Sequence, residues 1–458
     1  MKKTILVLSC AGVILTGAAI FTTAGCSEEK AVKNEDNVLV SAITNNYAIP
    51  PHDILPQSQQ LADTFSWKTF IAMCWPADLR TCGPDTSGAT ILDGKGPLVW
   101  ESYLTSDEVF VAPPATPAPW CELLQAKAKH RALPKKVLEL AQKTGVYRFI
   151  NRTSKSPHAL GQASGQPLVD QNGRFVRYEV RMNKEEYDYI TTNSLWNVTG
   201  QQNYTKNNKI SFPTSASSVG PMEFKAAWKI LGAGDDATKF YTIKAIVFND
   251  DSLNLSPGPN PVTLGLVGLH IAHKTPSQRF WVWSTFEQVD NLTTSFFNDT
   301  CKSCPINTPP SGGPNYKELG PDGKPLHKPT QVTRVNAIAG TGGNEDPFID
   351  GINVYFQNLL HGSVWANYSL VSTQWLFNED VFPDYLANTV QETYLQGPNP
   401  PAHGTYTISA GEQYFQSPDY HPFSPSVSSS CMGCHSKATL NFSPNASADF
   451  SFLLGEAK

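Results

Sequence analysis

The most specific chemistry in this chain lies in five consecutive residues, Cys431-Met432-Gly433-Cys434-His435. Two cysteines separated by two residues reach the two vinyl groups along one side of a porphyrin, and the histidine that follows meets the iron from one face. The run therefore reads as a covalent attachment site for one haem c, with Cys431 and Cys434 forming thioethers and His435 supplying the proximal nitrogen. Only residues 436–458 follow, and they hold neither methionine nor histidine. A second axial ligand, if the iron has one, must come from upstream. The histidine candidates are His270, His273, His361 and His421, and Met73, Met182 and Met222 stand behind them. His270 and His273 fall in or at the end of an expected strand, three residues apart, so they point to opposite faces and cannot both meet one iron. His361 precedes an aromatic stretch, 365–375, able to wall a crevice. His421 lies in the proline-constrained approach to the motif. The choice decides the chemistry. Two strong ligands suit electron transfer, whereas an open position admits peroxide, oxygen or another small molecule.

The remaining cysteines depend on where the chain resides. Lys2 and Lys3 precede an apolar stretch over residues 5–21, followed by Thr23-Ala24-Gly25-Cys26. This resembles a bacterial lipoprotein signal. The resemblance implies cleavage before Cys26, lipid on its sulfur and amine, and, with Ser27 next, an outer-membrane address facing the periplasm or the cell surface. An uncleaved anchor or an ordinary secretory signal are the alternatives, and all three export the domain. Several acyl chains exceed the two-signal requirement for stable attachment. Of the nine cysteines, Cys10 then leaves with the leader, Cys26 takes lipid, and Cys431 and Cys434 take haem. In an oxidising compartment the rest default to disulfides. Cys74 and Cys82 flank a short proline-containing loop and can pair locally. Cys301 and Cys304 form a second CxxC without a following histidine, and the prolines after it favour a loop staple over a redox pair that opens a helix. Cys121 is left over.

Other chemistries find little support. The net charge of -5, with both signs mixed along the chain, offers no basic stripe for nucleic acid. Neither GxSxG nor HExxH occurs, and Gly340-Thr341-Gly342-Gly343 lacks the Lys-Ser/Thr ending of a phosphate loop. Asn344, Asp346 and Asp350 lack the spacing of a calcium loop. Arg279, Trp281 and Trp283 alternate along an expected strand and read as sheet core and rim.

The elements that must position the haem motif follow from periodicity. After the leader (1–25) and a polar spacer (26–55), apolar residues at helical spacing predict a helix over 57–73, stopped by Pro76, and a second over 134–143, stopped at Gly145. The middle third reads as strands at 175–182, 223–230, 240–248, 264–273 and 280–286, rich in β-branched and aromatic residues. A proline- and glycine-rich loop over 305–329 divides the chain. Helical signals return over 383–395, and Ser447 suggests an N-cap for a short last helix. The fold class is α+β: a substantial antiparallel β-sheet with peripheral helices, a large domain over 56–419, and a haem c attachment segment over 420–458 docked on it.

Ser66-Trp67-Lys68-Thr69-Phe70-Ile71-Ala72, Tyr178-Glu179-Val180-Arg181-Met182-Asn183, and the stretches 268–275, 280–291 and 363–375 together resemble bacterial exported proteins of the cytochrome c family. The resemblance implies one C-terminal haem on a large domain. It transfers no substrate and no catalytic residues. Three readings follow. The first is a tethered monohaem cytochrome passing electrons among redox partner proteins of the cell envelope. The second is a haem-dependent oxidoreductase with a substrate pocket in the large domain. The third is a binding module with a structural haem.

Overall fold

The β-branched and aromatic runs of the middle third form a central antiparallel sheet. Its strands are β1 (Leu104–Thr105), β2 (Phe149–Ile150), β3 (Arg177–Met182), β4 (Met222–Ile230), β5 (Thr242–Val247), β6 (Val262–His273), β7 (Val282–Gln288) and β8 (Tyr368–Gln374). The computed structural model describes residues 47–54, 58–94, 96–122, 133, 135–150, 162–163, 165–248, 260–278, 280–301, 303–311, 317–334, 347–375, 381–382, 386–395, 406–407 and 431–458. Among these the sheet has eight strands, ordered β8-β7-β6-β4-β3-β1, with β5 beside the start of β6 and β2 parallel to β5. The long strand β6 is central. β4 runs along one edge of it from Leu264 to His273, while β5 and then β7 share the other edge. Apart from two single-turn helices, Val99–Ser102 and Ser106–Val109, the α-helices among the described residues are α1 (Gln59–Met73), α2 (Lys135–Thr144), α3 (Lys184–Thr192), α4 (Val198–Thr205), α5 (Pro347–Leu359) and α6 (Cys431–His435).

Strand alternation sorts the sheet into two differently covered faces. On the first face, Phe70 of α1 stacks on Phe286 at 4.2 Å and Phe65 on His273 at 5.4 Å. Ser66 Oγ hydrogen-bonds both Ser284 Oγ and Thr373 Oγ1, which locks the helix in register with β7 and β8. Ser58 caps α1, its hydroxyl accepting from Leu61 N. Helix α5 packs outside α1, with Phe356 stacked on Trp67 at 5.2 Å and Asn353 Oδ1 accepting from Trp67 Nε1. The second face carries the turns of residues 386–395, α3, and the C-terminal segment from α6 onward. That segment holds the hairpin of β9 (Thr439–Leu440) and β10 (Ser443–Ser447) and a last 3-10 turn, Phe452–Glu456. Residues 44–458 form one compact unit.

The α+β architecture matches the sequence expectation, and the five expected strands fall within two residues of their bounds as β3, β4, β5, β6 and β7, whereas β1, β2 and β8 were not expected. Several details differ. The spacer ends early, because residues 47–54 already pack on the domain. Ile54 is buried with Val282 and Trp375, Tyr47 meets Phe356, and Asp53 accepts from Ser277. Of the helical stretch expected over 383–395, residues 383–385 lie outside the described residues and residues 386–395 are turns closing in a short 3-10 helix, Thr393–Leu395, rather than an α-helix, since Asn388, Thr389 and Glu392 spend their polar groups on the sheet and on one another. Ser447 ends β10 instead of capping a helix.

The cysteine pairing is also corrected. Cys82 is bonded to Cys121, the residue left over, and Cys74 is a buried thiol. Cys74 sits at the end of α1, inside the core beside Trp100 and Glu101, whereas Cys82, also buried, adopts a positive φ of 56° and meets Cys121 in a turn at φ 61°. Cys301 and Cys304 are joined. The 305–329 loop contributes Glu318, fully buried against Arg177 of β3, so it is tied to the sheet rather than dividing the chain. No helix among the described residues is long and apolar enough to cross a membrane. The leader and Cys26 lie outside the described residues.

Candidate functional site

The register of the sheet builds the floor of the site. Val180, Lys225, His270 and Thr285 form one cross-strand row on the second face, and Met182, Glu223, Ala272, Trp283 and Gln374 form the next. Helix α6 lies on the second row. Met432, between the two cysteines, is fully buried in a cluster with Ala272, Trp283, Ala438, Leu440 and Leu453. Gln374 Oε1 accepts from Met432 N at 2.6 Å. That bond satisfies one of the N–H groups that a helix start leaves without an intrahelical partner.

With Met432 anchored, Cys431, Cys434 and His435 share a neighbouring side of the turn, as residues three and four apart do on a helix. All three line a cavity of about 470 Å³. Val180, Ala272, Trp283 and Leu453 give it apolar walls, and Glu223, Lys225, His270, Glu392, Lys437 and Glu456 supply its polar groups. Trp283 and Phe452 flank the His435 ring, with centroids at 5.7 and 5.0 Å.

The orientation of His435 is set by its neighbours. Its Nδ1 lies 2.8 Å from Phe450 O. A carbonyl only accepts, so Nδ1 carries the hydrogen and Nε2 is the basic nitrogen, the arrangement of a metal-ligating histidine. Burial pulls the His435 pKa down to about 4, so the imidazole is neutral. The turn that offers this carbonyl is itself fixed. Asp449 and Phe450 both adopt positive φ, Trp281 Nε1 donates to Asp449 O at 2.8 Å, and Lys274 Nζ pairs with both carboxylate oxygens of Asp449. Burial, and then the Glu392 carboxylate, pushes the Cys431 thiol well up and Cys434 to about 11, so both are thiols rather than thiolates.

Across the cavity floor, His270 Nε2 lies 2.9 Å from Glu392 Oε1. The other Glu392 oxygen accepts from Asn388 N at 2.7 Å. Burial alone would raise the Glu392 pKa, but His270, Lys225 and the Asn388 N–H outweigh it and hold it below the usual range. Burial lowers Lys225, whose ammonium sits 5.3 Å over the Tyr178 ring. At the far end of the second row, Glu223 faces Glu186 of α3 and Ser451; burial raises both carboxyls, Glu223 to about 7.

These residues fit a covalently held haem. Two thiols stand one helical turn apart, and a neutral imidazole has its basic nitrogen uncommitted. The walls are mostly apolar, and Lys225 and Lys437 stand among them beside the carboxyl groups of Glu223, Glu392 and Glu456. Of the described candidates for the second axial position, His270 is the one that shares the cavity with His435. His273 lies on the opposite face, stacked on Phe65 with Nε2 at Val219 O. His361 is exposed in the turn after α5. Met73 and Met222 belong to the helix-covered face, and Met182 is buried in the cluster beneath α6. His421 and Arg279 lie outside the described residues, as do Asn344 and Asp346. Among the described residues no group of three or more His, Cys, Asp or Glu side chains is placed to hold a metal ion.

Sequence reasoning missed Glu392, Lys225, Glu223 and Gln374. For Glu223 and Lys225 a signal existed: charged residues alternating with apolar ones in a strand that is buried on both faces must point at something polar. Glu392 gave none, since only the tertiary fold brings residues 388–392 over β6. No family model, no curated protein and no solved structure matches the chain.

Proposed function

We propose that the protein is an exported monohaem c-type cytochrome, similar in kind to the bacterial cytochrome c family proteins, that passes single electrons between redox partner proteins of the cell envelope. The observation that carries this reading is the convergence of Cys431, Cys434 and His435 on one cavity, with the His435 ring fixed by Phe450 O. Cys431 and Cys434 hold the cofactor covalently, and His435 Nε2 is the proximal ligand. Bound there, a haem supplies a one-electron couple. The chain keeps water away with Val180, Ala272, Trp283 and Leu453, holds the proximal ring against rotation, and places both on a sheet whose hydrogen bonds resist rearrangement. A rigid, dry surround suits electron transfer, because little has to move when the charge changes. The disulfides Cys82–Cys121 and Cys301–Cys304 agree with an oxidising compartment. The lipoprotein-like leader supports tethering through Cys26 to the outer membrane.

The second reading, a haem-dependent oxidoreductase, draws on one observation: His270 and Glu392 form a hydrogen-bonded acid–base pair within the same cavity. One set of spectra separates the two. The full-length protein, produced with its leader in a host that attaches haem c, should gain the mass of one haem, and the Cys431→Ala/Cys434→Ala double variant should not. Ferric and ferrous spectra should be low-spin and unmoved by cyanide or carbon monoxide. High-spin iron that binds either ligand rapidly would replace electron transfer with the oxidoreductase reading. Absence of covalent haem would end both. Cys26→Ala should move the protein from the membrane fraction to the soluble one.

A further inference from the structure

Strand β6 places His270 at the middle of the sheet, where ladders to β4 and β7 fix its backbone on both edges. Its ring is fixed as well. Glu392 Oε1 takes Nε2 at 2.9 Å, and Glu392 is itself held by the turn beneath it. Asn388 N donates to the second Glu392 oxygen, Asn388 Nδ2 donates to Thr285 Oγ1 at 2.8 Å, and Thr389 N donates to Glu287 Oε1. The turn lies so close to β6 that a Cβ added at Gly268 would stand 2.8 Å from Val390 Cγ2. The carboxylate engages one ring nitrogen of His270, and the other makes no hydrogen bond among the described residues.

That is the arrangement in which protein carboxylates orient metal-bound histidines: one nitrogen donates to the carboxylate and the second, made more basic, faces the metal. His273, three residues away, shows the contrast. It is buried under Phe65, spends Nε2 on a backbone carbonyl, and shares no cavity with His435. Building on the haem c reading above, we propose that His270 is the second axial ligand of the iron and that Glu392 is its positioning residue. The iron is then held between a strand histidine and the C-terminal helix histidine, and the sheet and the haem segment are joined through it.

The test uses the holoprotein with covalent haem confirmed by mass in every variant, so that loss of attachment, which would refute the haem reading, is separated from failure of this inference. The wild type should show a low-spin ferric spectrum and a near-infrared magnetic circular dichroism band of two imidazoles; a thioether band or high-spin iron would overturn the proposal without any variant. His270→Ala should become high-spin, bind carbon monoxide when reduced, and return to low-spin on adding imidazole. His273→Ala, His361→Ala and His421→Ala should all remain low-spin, and conversion by any of these while His270→Ala stays low-spin would assign the ligand elsewhere. Glu392→Gln should stay low-spin but show a raised midpoint potential, because a neutral amide makes the imidazole a weaker donor to ferric iron. An unchanged potential would remove Glu392 from the role.

Discussion

Truncating Met432 to alanine tests whether the Cys431–His435 helix is packed on the sheet or merely follows it in the chain. The side chain is fully buried, in a cluster shared with Ala272 and Trp283 of the sheet and with Leu440, Leu453 and Leu454 of the C-terminal segment. Removing two carbons and a sulfur forfeits about 2 kcal/mol of transfer free energy. The space left behind adds about 1–2 kcal/mol, because the hydrogen bond from Met432 N to Gln374 and the ladder beneath keep the walls from closing. The expected loss is therefore about 3–4 kcal/mol. Urea unfolding of the purified protein, followed by the fluorescence of its tryptophans, reads this as a lowered midpoint at unchanged slope. If residues 431–458 open locally first, hydrogen exchange at the amides of Met432 and Ser436, both bonded in the native state, reports the same loss. Leu326→Ala, at a side chain 53% exposed, is the control and should stay within about 0.5 kcal/mol of wild type. A Met432→Ala loss no larger than that control, by both measurements, would refute the docking of α6 and with it the cavity that the haem reading depends on.

Two further outcomes follow from the same structure. Burial holds Asp170 protonated up to about pH 7, although its Oδ1 accepts from Asn172 N and Arg174 N. A folded pKa raised from 3.8 to about 7 means that the stabilisation is complete below pH 4 and disappears as pH rises through 7, a change of about 4 kcal/mol. Asp170→Asn should thus gain on the wild type between pH 4 and 7 and level off above that in denaturant titrations, and a constant difference would contradict the buried, protonated carboxyl. Cys82→Ser opens a bridge between positions separated by 39 residues, worth about 4 kcal/mol by chain entropy; a loss below about 1 kcal/mol in unfolding experiments would show that Cys82 and Cys121 are not joined in the native protein.

Strands β3 to β7 were legible because their residues carry their own signal: β-branched and aromatic side chains at alternate positions, with Asn172-Gly173 marking the turn before β3, whereas the seven-residue β8 and the two-residue β1 and β2 went unread. Helix α1 was legible from its apolar spacing and from the proline beyond it. Helices α3 and α5 went unread, although both are marked. Asn183 caps α3, accepting from Glu186 N, and Pro347 occupies the first position of α5. Residues 386–395 misled in the other direction. Their periodicity is apolar enough for a helix, but Asn388 and Thr389 gain more by bonding to β7 than by continuing a helix, as polar residues with short side chains often do. The attachment half of the site could be read from five residues. Of the opposite half, His270 was one of four histidine candidates, but its selection and the presence of Lys225 and Glu392 beside it could not be read, because these residues are separated by long stretches of chain and meet only through strand register and one buried turn.

The two CxxC segments show how much of the chemistry lies outside the motif. Cys301 and Cys304 have the same spacing as Cys431 and Cys434, yet they sit in a turn closed by Cys304 N donating to Cys301 O, next to a proline, and their sulfurs bond to each other. Cys431 and Cys434 lie on a helix that continues into His435 and rests on Met432, and their thiols stay separate beside a cavity. Spacing alone permits either outcome. What separates them is the surface beneath: the first pair has only a loop to staple, whereas the second faces a floor on which β4, β6 and β7 set side chains at fixed intervals. A protein that needed only to carry haem could do so on the C-terminal segment alone. On the ligation proposed above, the sheet would be what chooses and holds the iron's second partner, through His270, fixed by its strand and by Glu392.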